Sequence, residues 1–129
     1  MDVLPDQRAL PGMDPTVLPA LLSRLDPAVA VDLARQFAAD LRGLRQMLDA
    51  ALGPPADMVT LARQAHVLIA LAGTAGADDL AARARLLLRA AHHGKAGTSV
   101  RLVTGILPCI DRLVAFVAAC PLPDTRPAL

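Results

Sequence analysis

His66 is the side chain whose type and surroundings best suit chemistry. On a helix, positions three, four and seven residues away would share its face. Those positions are mostly small or apolar: Ala62, Arg63, Ile69, Ala70 and Gly73. An imidazole with the usual pKa of about 6.5 is largely neutral at neutral pH and needs no strong base to act as a nucleophile. The pattern therefore predicts a nucleophile on a flat, apolar surface that suits docking by another molecule.

The other histidines and the two cysteines indicate no metal site. His92 and His93 are adjacent, so on a helix they point about 100° apart, whereas ligand pairs need spacings of three or four. We expect them to complement a helix dipole at its C-terminal end. Cys109 and Cys120 fall in one predicted helix, roughly 16 Å apart along its axis, which is beyond disulfide reach. We therefore predict reduced thiols, no metal and no cofactor.

The composition favours a helical protein. The chain has 129 residues, of which 54% are hydrophobic and 2% aromatic. Alanine and leucine, which dominate it, form helices well, whereas sandwiches and barrels need more aromatic and β-branched residues. A net charge of +1 with so few aromatics argues against nucleic-acid binding. The charge-free run at 64–77 is too short to span a membrane and the N-terminus lacks a signal-peptide pattern, so we expect a cytoplasmic protein with no membrane partner.

Apolar residues recur at three- and four-residue steps in four long stretches, which predicts four long helices. Asp14-Pro15 and Asp26-Pro27 have the form of helix starts, so a short helix should precede the long ones. Pro108 predicts a kink or a split in the last helix, which Thr98 or Ser99 would cap. In the first long helix the residues expected to face the core are Val29, Leu33, Phe37, Leu41, Leu44, Leu48 and Ala51.

Short connections between consecutive helices make neighbours antiparallel. The predicted fold is therefore all-α, an antiparallel up-down four-helix bundle with a short extra N-terminal helix. We assign residues 1–13 to a flexible N-terminal arm, 14–120 to the bundle and 121–129 to a flexible C-terminal tail.

The residues around His66 resemble the pattern of histidine phosphotransfer (HPt) domains over roughly residues 14–120. That family has Ala before the histidine, Leu two residues after it, Gly-Ala ten and eleven after, and Leu fourteen after. The matching residues are Ala65, Leu68, Gly76, Ala77 and Leu80, together with Phe37 where the family has an aromatic residue. Ile69 and Ala70 stand where the family has Lys and Gly, and Leu88 where it often has an acidic residue.

The resemblance implies that His66 carries a phosphoryl group to and from aspartates of response-regulator receiver domains, a hybrid histidine kinase being another partner. Ala62, Arg63, Ile69, Ala70 and Gly73 would form the receiver-docking face. The expected Mg²⁺ belongs to the receiver, so the chain would be a monomeric phosphocarrier rather than a true enzyme. Arg63 could supply part of the positive charge that Ile69 lacks.

Two other functions are compatible with the sequence. The chain could be an HPt-like module that docks receivers or a kinase without carrying phosphate, which the residues Ile69 and Ala70 motivate. It could also be a structural helical bundle whose apolar surface is an oligomer interface.

Overall fold

The computed structural model describes residues 10–120. Within that range the chain is all-α, with five helices and no strand. Residues 1–9 of the predicted N-terminal arm lie outside the described residues, and so does the whole predicted C-terminal tail, residues 121–129. The helices are α1 (Val17–Ser23), α2 (Pro27–Ala50), α3 (Met58–Thr74), α4 (Asp78–His92) and α5 (Ala96–Ala119).

The four longer helices pack around a shared core. α2 packs against α3 and α5, and α4 likewise packs against α3 and α5, while α1 packs against α2. The most extensive contact joins α3 to α4. Both of these helices bury alanines, for example Ala65 and Ala84, whose small side chains allow the helices to approach closely.

The buried row of α2 differs from the predicted one at its start. Val29 and Leu33 are 51% and 38% exposed, and Ala30 and Ala34 are buried in their place. Both rows reach Phe37 by steps of three or four residues, so spacing alone did not separate them. The prediction that Val29 and Leu33 face the core is therefore wrong, because small side chains occupy the core at this end of α2.

Of the two helix starts predicted from Asp-Pro pairs, the structure has one. Asp26 is the N-cap of α2 with Pro27 in its first turn, as predicted. α1, however, begins at Val17 with Thr16 as its N-cap residue, and the Asp14 carboxylate accepts hydrogen bonds from the Thr16 backbone N–H and hydroxyl in the turn before the helix. The predicted helix start at Asp14-Pro15 is therefore wrong.

α5 continues through Pro108 without a break. Pro108 and Thr104, whose carbonyl loses a helical partner, are both exposed, so water can satisfy that carbonyl. Of the kink or split predicted at Pro108, the split is therefore wrong, because α5 is one continuous helix. The predicted cap is also wrong, since α5 starts at Ala96 and Ser99 is fully buried inside it.

α5 is long and apolar enough to cross a membrane, judged on length and composition alone among the described residues. Core helices meet the same criterion. Eight residues of α5 are buried in the structure, including Val103, Ile106 and Ile110.

The end of the predicted N-terminal arm is packed against the helices. Leu10 and Met13 are buried, and an isolated β-bridge joins Met13 to Ala77 in the connection between α3 and α4. Next to it, the Asp14 backbone N–H donates to the Gly76 carbonyl over 3.0 Å. Residues 10–13 therefore help to hold the α3–α4 connection in place.

Candidate functional site

His66 lies in the middle of α3 with its side chain exposed. Ala65 and Leu68, on either side of it, are completely buried, so the backbone that carries the imidazole is held by the core. Among residues 10–120 no side chain or backbone group hydrogen-bonds to the His66 ring. Both ring nitrogens are therefore available to another molecule.

A groove of about 720 Å³ runs between α3 and α4 beside this imidazole. Leu88, Ala91 and His92 of α4 line one side. The lining on α3 comprises Met58, Val59, Ala62, Arg63, His66 and Val67. These nine residues are called the His66 groove below. Its walls are mostly apolar, and Val59 and Val67 are 68% and 42% exposed, which is the kind of surface that protein partners cover.

The structure divides the predicted docking face into two parts. Ala62 and Arg63 line the His66 groove, whereas Ile69, Ala70 and Gly73 do not. Ile69 is half-buried against the core. Ala70 is exposed, and its carbonyl accepts a 3.0 Å hydrogen bond from the Thr74 hydroxyl. Gly73 is exposed, with open space where a side chain would be.

Sequence reasoning missed the residues of α4 that line the groove. Leu88 and His92 lie beside the same groove as His66, although they are more than twenty positions away along the chain. His92 does lie in the last turn of α4, as the helix-dipole interpretation requires. The spacing of residues within α3 carries no information about which residues of α4 lie opposite. The only signal in the sequence was that Leu88 replaces a residue that is often acidic in HPt domains.

The polar side chains of the His66 groove are all basic. They are Arg63, His66 and His92, and no carboxylate lines it. Arg63 also lies near the start of α3, where its charge is the smallest of several causes that lower the pKa of Asp57. The main cause is hydrogen bonding from the Thr60 hydroxyl and backbone N–H, with which Asp57 caps the helix. The groove thus suits an anionic group.

The remaining residues of the HPt-like pattern have structural roles. Gly76 has φ +73°, and a Cβ there would lie 2.9 Å from Val17 Cβ. Only glycine fits both that backbone conformation and that close approach. Ala77 and Leu80 are buried just beyond it, and Phe37 is buried in α2. These residues fix the connection after α3 and therefore the relative placement of α3 and α4.

Within residues 10–120 no cluster of three or more histidine, cysteine or acidic side chains could hold a metal ion. Cys109 and Cys120 are both free, and burial raises the pKa of the Cys120 thiol.

Comparisons with protein-family models, curated proteins and solved structures found no match to this chain.

Proposed function

We propose that this protein is a histidine phosphotransfer protein that accepts a phosphoryl group on His66 from one receiver domain and donates it to another. The observation that carries the proposal is the setting of His66. The imidazole is exposed and without an intramolecular partner in the described residues, in the middle of a helix whose neighbouring residues are fully buried. Such a residue is presented rigidly to a partner, as transfer between two proteins requires.

The transfer needs little from this chain beyond that presentation. The ring nitrogen that carries no hydrogen uses its lone pair to form the N–P bond, while the P–O bond to the receiver's aspartyl carboxylate breaks and the carboxylate leaves with the bonding electrons. The other ring nitrogen then releases its proton to water. Positioning and neutralisation of charge dominate the barrier to phosphoryl transfer. The receiver's Mg²⁺ supplies most of that neutralisation, and Arg63 in the groove adds a cation from this side.

We also propose that α2, α3, α4 and α5 form the antiparallel up-down four-helix bundle expected for such a protein. The short connections between them and the packing of α2 and α4 each against both α3 and α5 support this arrangement.

A second candidate function is docking without phosphate transfer. Apolar residues stand at two positions where HPt domains carry charge: Ile69, half-buried against the core, and Leu88, which lines the groove beside His66. A partner could then cover the apolar surface without its phosphoryl group being accepted.

The test that separates these functions is phosphotransfer profiling. The protein would be mixed with each phosphorylated receiver domain of its own organism, in parallel with His66→Gln and with His93→Gln as a control for loss of a histidine outside the groove. We expect labelled wild type, equally labelled His93→Gln and unlabelled His66→Gln. Receiver binding without label would favour the docking function. Neither binding nor label over the complete set would exclude both.

A further inference from the structure

After Asp79, the charged residues of α4 and of the start of α5 all have one sign. Between Asp79 and Asp111 every charged residue is cationic, namely Arg83, Arg85, Arg89, Lys95 and Arg101. All five are exposed, and none forms an ion pair with a carboxylate in the part of the chain that the structure describes. The whole chain has a net charge of only +1, so acidic residues are concentrated elsewhere.

Three basic residues of α4 form a row on one helix face. Arg85, Arg89 and His92 are spaced by four and then three residues, the spacing that aligns side chains along a helix, and all are exposed. They span about 10 Å along the axis at 1.5 Å per residue. These three residues are called the cationic row below.

The cationic row borders the His66 groove. His92 belongs to both, whereas Arg89 lines a neighbouring hollow between α4 and the start of α5, together with Lys95. On the other side α3 contains only one permanently charged residue, Arg63, among its seventeen. A partner that covers the apolar surface around His66 and extends past His92 along α4 therefore meets the cationic row.

We propose that the cationic row is the docking surface for an acidic patch on the protein partner that exchanges phosphate with His66. The inference rests on the proposed function and specifies the partner's chemistry: an apolar area opposite α3, flanked by aspartate or glutamate side chains opposite α4. Charges at the rim of an interface mainly raise the association rate and fix orientation, and they act less at high salt. At 0.1 M salt the screening length is about 10 Å, comparable to the length of the row.

The surroundings favour a protein over a nucleic acid as the acidic partner. Stacking of bases needs aromatic side chains, and the chain has two Phe, no Trp and no Tyr. Phe37 and Phe116 are both buried. The row also adjoins an apolar groove, which a phosphate backbone would leave uncovered.

The test is reversal of charge in the cationic row. The double variant Arg85→Glu/Arg89→Glu would be compared with Arg35→Glu/Arg42→Glu, which makes the same change of charge in a hollow between α2 and α5. Rates of label transfer from phosphorylated receiver domains would be measured at low and high salt. We expect the row variant to be slower by about tenfold at 50 mM NaCl and by less than about threefold at 500 mM. The control should stay within about twofold of wild type at both salt concentrations.

Each outcome decides the inference separately from the proposed function. Equal rates for the two variants would overturn the inference and leave transfer through His66 intact. If wild type takes no label, the proposed function fails. Binding of unphosphorylated receivers to wild type, the row variant and the control variant then decides the inference. A salt-dependent loss of receiver binding that is confined to the row variant supports the acidic partner. No receiver binding, or binding of mixed-sequence duplex DNA instead, overturns it.

Discussion

Replacement of Gly76 by alanine tests how the connection between α3 and α4 is built. Gly76 has φ +73°, a conformation that costs a residue with a side chain about 1–2 kcal/mol. The new methyl group would also lie 2.9 Å from two carbons of Val17 and 3.1 Å from the Asp14 carbonyl oxygen. The backbone must shift to relieve this contact, which costs about 1–3 kcal/mol in packed sites.

The two costs sum to about 2–5 kcal/mol. The reduced entropy of the unfolded chain offsets about 0.4–1 kcal/mol of this, so Gly76→Ala should lower the free energy of unfolding by about 2–4 kcal/mol. Gly94→Ala is a matched control, because Gly94 has φ +67° but nothing within 4 Å of an added Cβ. It should lose only the conformational part, about 1 kcal/mol after the reduced entropy of the unfolded chain is counted.

Urea denaturation followed by circular dichroism measures both losses. With a slope of about 1.5 kcal/mol per molar urea, 3 kcal/mol shifts the midpoint by about 2 M. Equal midpoints for the two variants would refute the close contact of Gly76 with Val17, at the start of α1, and with Asp14 just before it. If Gly76→Ala is more stable than wild type, the positive φ of Gly76 is refuted as well.

Three further predictions concern single residues. Ser99→Ala should raise the free energy of unfolding by about 1 kcal/mol in urea titrations, because the buried Ser99 hydroxyl has no partner in the described chain; a loss of stability would contradict this. Arg63→Ala should slow label transfer to His66, and an unchanged rate would remove Arg63 from the mechanism. Asp57 has a pKa below its ordinary value of 3.8, so its ionised form stabilises the fold, and that contribution disappears as the pH falls through and below 3.8. Asp57→Asn should therefore lose less stability than wild type between pH 5 and pH 3; identical pH profiles would show that the cap does not depend on the carboxylate.

The helices could be predicted because their local chemistry and periodicity agree. Pro27 after Asp26 set the start of α2, and the apolar steps through Leu61, Leu68 and Ala72 gave the buried side of α3. The predictions failed where two local choices were equally good. The Asp14 carboxylate accepts hydrogen bonds from Thr16, two residues on, which fits both a turn and a helix cap, so the Asp14-Pro15 pattern does not decide where α1 begins.

The candidate site could be predicted only for the helix that carries His66. Spacing along α3 correctly grouped Ala62 and Arg63 with it, because those contacts lie within one helix. To predict that Leu88 and His92 line the groove, one must know which turn of α4 lies against which turn of α3. That register depends on the packing of Gly76 and Met13 at the connection, and periodicity within either helix does not determine it.

Phosphorylation of His66 is tested most directly by intact mass spectrometry after incubation with a phosphorylated receiver, at neutral pH and again after brief acid treatment. Phosphate on an imidazole nitrogen is lost in acid, whereas phosphate on serine or threonine survives. We expect a gain of one phosphoryl group that acid removes and that is absent from His66→Gln. A gain that survives acid, or one that persists in His66→Gln, would contradict it.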